Sequence, residues 1–121
     1  MDITKTIENL KQEPGFAENV GMMLVHNGVV RAWSRADKAK VTGVKVTPNH
    51  AKIQEICSEF EKRPGIFRVV AKAREGTLLP GDDLLFLIVA GDIRENVLAA
   101  FTDLLNTVKK EGVVKEEILE A

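Results

Sequence analysis

The chain of 121 residues carries a single cysteine, Cys57, which excludes an internal disulfide framework and any metal site built on several thiolates. Its two histidines, His26 and His50, have no metal-ligand spacing between them. A basic excess is missing as well: 17 Lys+Arg stand against 18 Asp+Glu, a formal net charge of −1. Sequence-independent binding of nucleic acid needs such an excess to neutralise phosphates, so no nucleic-acid partner is expected. Net charge does not report where arginines cluster, and a local basic pocket stays open. Long apolar runs are also absent. The longest, LLFLIVA (84–90), is far too short to span a bilayer, and the polar start MDITKTIENLKQEPG lacks an apolar signal-peptide core. The expectation is a cytoplasmic protein in a reducing setting, with no membrane contact, no metal and no cofactor.

What is present suffices for one compact domain over residues 1–121, since 45% of the residues are hydrophobic. Residues 4–10 read as a short helix stopped by Pro14-Gly15. From Val20 to Trp33 the chain is apolar and β-branched, broken by Asn27-Gly28. That dipeptide fits either a two-residue hairpin turn or a strand glycine at a bulge. A charged loop, SRADKAK (34–40), precedes a second strand, VTGVKVT (41–47). Thr47 and Pro48 then predict a helix start, with Ile53, Ile56, Cys57 and Phe60 at helical spacing. In IFRVVAKAR (66–74), Phe67, Val69, Ala71 and Ala73 alternate with Arg68, Lys72 and Arg74, as in a half-buried strand. LPGD (79–82) is a turn, and LLFLIVA a strand covered on both faces.

The last helix has the fullest set of signals. Asp92 with Glu95 three residues on predicts a capping box. Val97, Leu98, Phe101, Leu104, Leu105 and Val108 form an apolar stripe, Lys109 and Lys110 complement the dipole, and Gly112 suits a left-handed stop. Strands with an inserted helix and a closing helix make the class α+β.

Taken in order, NGVVR (27–31), AREGTLLPGDDLLFLIVAGDIRENVLAAF (73–101) and VKKEGVVKEE (108–117) resemble the large, catalytic subunit of molybdopterin synthase over about residues 20–117. The resemblance implies an α/β hammerhead with an added antiparallel β subdomain, paired as a homodimer. It implies sulfur transfer to a cyclic pyranopterin monophosphate, which forms the dithiolene of molybdopterin. The sulfur donor would be a thiocarboxylate on the C-terminal Gly-Gly tail of a ubiquitin-like small subunit. Residue by residue, Lys109 and Lys115 match the family's active-site lysines, and Arg31, Arg94 and Arg74 its substrate-binding arginines. Guanidinium forks suit phosphate and carboxylate, and a lysine among arginines suits a nucleophile, a proton carrier or a charge stabiliser.

The sequence also departs from that pattern. Ala73 and Ile93 stand where the family has histidines, Val114 where it has an aromatic, and Lys109 and Lys115 are one residue closer together. These departures define an alternative: a relative that binds a partner protein or an anionic pterin without turnover. Outside the resemblance the same residues have plainer readings. Lys109 complements a helix dipole, Lys115 belongs to a charged run, and Arg94 pairs with Glu95 or Asp92. Cys57 is core, His26 is structural or lies near the pocket, and Trp33 is core, loop anchor or interface.

Overall fold

The computed structural model describes residues 1–120. Its elements are α1 (Ile3–Lys11), α2 (Phe16–Asn19), β1 (Met22–Val29), β2 (Val41–Pro48), α3 (His50–Phe60), β3 (Ile66–Ala73), β4 (Gly76–Leu78), β5 (Asp83–Gly91), α4 (Arg94–Thr107) and β6 (Val113–Leu119). A π-helical turn, Val108–Gly112, joins α4 to β6. The strands form two antiparallel three-stranded sheets, ordered β1-β5-β3 and β4-β2-β6. This is the expected α+β class with its second antiparallel sheet.

β5 is central because both its faces are covered. Leu85, Leu87 and Val89 join the main core with Ile53, Ile56, Cys57 and Phe60 of α3 and Val97, Ala100 and Leu104 of α4. Phe86 and Ile88 pack on the other side with Leu10, Ile7 and Phe16 from α1 and α2. A strand covered on both faces reads as a continuous apolar run, and Phe86 through Ala90 are fully buried. Asn27 and Gly28 lie inside β1, whose register slips between Gly28 and Val29, so the dipeptide is a strand irregularity and not a hairpin turn.

Several expected boundaries move. β2 runs through Pro48, with Thr47 paired to Val114, and α3 is capped instead by Asn49, whose Oδ1 accepts the Lys52 N–H at 3.0 Å. The Asp92 capping box does not form. Ile93 holds the N-cap position, while the Asp92 carboxylate accepts from the Ile93 N–H and the Asn96 amide. On α4, Ala100 takes a buried place and Leu98 is exposed. A bulge between Ile66 and Arg68 sends Phe67 edge-on against Phe16, away from Val69. β4 and β6 are strands with no counterpart in the sequence reading.

Gly112 is the instructive correction. The glycines with positive φ are Gly15, Gly65, Gly76 and Gly81, so Gly112 is not a left-handed stop. It is buried, and a Cβ there would lie 2.8 Å from Ile53 Cγ1 of α3. Close approach requires this glycine, not backbone freedom. Gly112→Ala therefore sets two effects against each other. Alanine favours helical backbone by about 1 kcal/mol, but forcing a methyl into packed Ile53 costs about 1–3 kcal/mol. The expected outcome is a net loss of about 1 kcal/mol in urea unfolding; an unchanged or raised midpoint would contradict the packing argument.

Candidate functional site

Where the end of β1, the 31–40 loop, the π-helical turn and β6 meet, they enclose a cavity of about 660 Å³. Arg31, Lys109 and Lys115 all line it, together with His26, Ser34, Arg35 and Glu117. Each cation arrives by a distinct piece of local structure. Val30 is buried and tied on both sides, donating to Asp82 O and accepting from Gly81 N, which fixes the exit of β1 and therefore the backbone of Arg31. The wide π turn begins at buried Val108 and exposes Lys109. The chain then reverses at Gly112, whose carbonyl accepts the Asn49 N–H at 2.8 Å. β6 returns along β2 with Lys115 opposite Val46 and Glu117 opposite Val44, which sets Lys115 and Glu117 on one face.

The charge is unbalanced. Among the described residues, Arg31, Arg35, Lys109 and Lys115 make no ion pair, whereas Lys52, Arg63 and Arg68 each have a carboxylate partner. The cavity's carboxylate, Glu117, accepts a hydrogen bond from the Ser34 hydroxyl at 3.0 Å. Partial desolvation, then the Lys109 and Arg31 charges, hold the Lys115 ammonium below the usual lysine range, against the opposing pull of Glu117. The cluster is thus a net-cationic pocket containing a lysine that gives up its proton more readily than an ordinary one.

His26 lines this pocket, the less favoured of its two sequence readings. Its ring lies edge-on to Phe101, 6.5 Å between centroids, and its Nε2 is buried without a hydrogen-bond partner. Burial, then Lys109, then Lys115, lower its proton affinity below the ordinary 6.5. Cys57 stays in the core, where burial and then the Glu61 charge push its thiol up to about 11, so it is no nucleophile. No three His, Cys, Asp or Glu side chains among the described residues gather as a metal site.

Two expected members lie elsewhere. Arg94, in the first turn of α4, lines a shallow surface hollow with Leu98 and Asp103, outside the cavity. Arg74 follows β3, where its Nη1 donates to Asp83 O at 3.4 Å. Within one chain, neither joins Arg31, Lys109 and Lys115. Conversely, Arg35, Ser34 and Glu117 line the cavity without having been singled out. For Glu117 the signal was its i, i+2 relation to Lys115, usable only once that segment is read as a strand.

The family described as MoaE protein matches residues 1–111. No curated protein matches the chain. Among solved structures, molybdopterin synthase from Staphylococcus aureus is similar at a TM-score of 0.79 and 21% identity, over 99% of this chain and 86% of that one. The molybdopterin biosynthesis MoaE protein from Burkholderia ambifaria is similar at 0.74 and 21%, over 99% and 81%. A chain in the Helicobacter pylori complex of subunits 1 and 2 of molybdopterin-converting factor is similar at 0.69 and 18%, over 98% and 80%. At these identities the likeness is one of fold.

Two measurements probe the electrostatics. Because Lys109 depresses Lys115, Lys109→Gln raises the Lys115 pKa and leaves less free amine at pH 8. Residue-resolved acylation followed by mass spectrometry should find Lys115 labelled more slowly in that variant; an equal rate refutes the coupling. His26 binds its proton less readily folded than unfolded, so its contribution to stability is present above about pH 6.5 and is lost as the pH falls below that value. His26→Phe keeps an aromatic ring against Phe101, and thermal unfolding from pH 7.5 to 5.5 should show a smaller acid loss than in the parent.

Proposed function

The chain belongs to the MoaE protein family, and from that premise we propose that it is the large, catalytic subunit of a molybdopterin synthase. In this reading it is a cytoplasmic sulfurtransferase in molybdenum cofactor biosynthesis, with residues 1–121 as one domain. A ubiquitin-like small subunit brings sulfur as a thiocarboxylate on its C-terminal Gly-Gly tail. The acceptor is a cyclic pyranopterin monophosphate, which becomes the dithiolene of molybdopterin. The observation that carries the proposal is the gathering of Arg31, Lys109 and Lys115 around one cavity that has more cations than carboxylates.

Every ligand in that reaction is an anion. A phosphate suits the planar fork of Arg31, which makes no ion pair or side-chain hydrogen bond among the described residues. A thiocarboxylate is drawn to the ammonium of Lys109, which also stabilises the oxyanion that develops when the carbonyl carbon is attacked. Lys115, with its lowered pKa, supplies an amine able to act as nucleophile or proton carrier. Arg94 and Arg74 enter such a site only across a contact with a second copy, so the homodimer is part of the proposal.

A second reading is favoured by Ala73 and by Ile93, which is half exposed at the start of α4 and offers no imidazole. It keeps the anion pocket but not the turnover. Purified protein with thiocarboxylated partner and pyranopterin separates the two. Product formation, lowered about 10²–10³-fold by Lys109→Ala, supports the enzyme. Binding of both ligands without product, with a partner competent on another synthase, leaves the non-catalytic relative.

A further inference from the structure

Trp33 is the chain's one tryptophan, and its ring carries two cations. Arg31 Cζ lies 4.8 Å and Lys38 Nζ 4.0 Å from the ring centroid. The loop that presents the ring is tightly folded. Trp33 forms a bridge with Lys40, the Ser34 N–H donates to Ala39 O at 2.8 Å, and the Lys38 N–H donates to Ser34 O at 2.9 Å. Lys38 adopts φ 64°, the one positive value at a non-glycine among the described residues, and this left-handed backbone belongs to the turn that returns its ammonium to the ring. Ser34, almost fully buried, ties the same loop to β6 through Glu117.

Apolar burial does not account for this ring, which remains 41% exposed. Its effect on Arg31 does. A cation–π contact engages no oxygen acceptor, so it matches none of the guanidinium N–H donors to a carboxylate or carbonyl. Arg31 makes no other polar contact among the described residues, and it lines the cavity in this same position. An arginine free in solvent gives up rotamer entropy when it grips an anion; one already resting on an aromatic face gives up less.

We infer that Trp33 is a positioning residue of the cavity, holding the Arg31 fork at the mouth where the phosphate of an incoming ligand is bound. The inference rests on the anion-site reading of the cavity. It needs neither a second protomer nor the sulfur-transfer step. Its ligand chemistry is a phosphate monoester, and the contribution of the ring is preorganisation, not contact with the reacting atoms.

Inorganic phosphate is the probe. Calorimetry should give a dissociation constant raised about two- to fivefold in Trp33→Leu, the range of an exposed cation–π contact. Trp33→Phe, which retains an aromatic face, should recover part of the loss, and Arg31→Gln should lose more than either. The single tryptophan supplies an independent readout. Emission of the parent protein should change saturably with phosphate, at the calorimetric midpoint, and stay flat in Arg31→Gln. In turnover, Trp33→Leu should raise KM for the pyranopterin while kcat is kept. Unaltered phosphate affinity in folded Trp33→Leu overturns the inference and leaves the anion site standing. If that variant does not fold, an emission that ignores saturating phosphate overturns it instead. A parent protein that binds no phosphate overturns the anion-site reading and this inference together.

Discussion

Gly112 lies against Ile53 so closely that any side chain would collide, and the site depends on that contact. It lets the π turn settle onto α3, where the Asn49 N–H bonds the Gly112 carbonyl and Lys52 approaches Glu111 at 3.7 Å. With the turn pinned there, the chain leaves as a strand antiparallel to β2 and not as a continued helix. The register of that strand then decides which residues face the cavity. Lys109 lies before the reversal and Lys115 after it, so two lysines six positions apart serve one cavity. One packing constraint between a glycine and an isoleucine thus becomes an electrostatic one.

The near-neutral net charge hides the distribution of charge that matters. Several carboxylates elsewhere are matched: Glu13 with Arg68, Asp103 with Arg63, Glu111 with Lys52. Exposed pairs of this kind contribute little to stability, and none of these carboxylates lines the cavity. Inside it, the one lining carboxylate is engaged by Ser34. Four unpaired cations therefore share a small volume, which is unfavourable without a ligand and favourable with an anionic one.

Much of the scaffold was legible from residue pattern. β5 announced itself by an unbroken apolar run, and α3 by Ile53, Ile56, Cys57 and Phe60, all buried. The failures have particular causes. Left-handed backbone and close packing both select glycine, so Gly112 was assigned the wrong one of two physical reasons. Asp92 has the chemistry of a cap but bonds the Ile93 N–H and Asn96 instead. β6 is invisible to periodicity because Val114, Ile118 and Leu119 are exposed and its pairing with β2 is non-local. Arg31, Lys109 and Lys115 were picked out through a resemblance, and their shared cavity could not be read from spacing. Arg94 and Arg74 lie outside that cavity within one chain, and matching a motif does not say whether a side chain serves its own chain's cavity or a second copy's.

The same electrostatics constrain how the lysines can work. The proton affinity of Lys115 is lowered partly by Lys109 and Arg31, so part of its readiness to act as an amine comes from unneutralised cations. A bound phosphate or thiocarboxylate supplies the missing negative charge and raises that affinity again, by the same coupling read in reverse. An anion in the cavity would thus favour the Lys115 ammonium over the free amine. His26 follows the same logic with a different result: its proton affinity, lowered by burial and then by Lys109 and Lys115, keeps it from adding positive charge near neutral pH to a site already crowded with it.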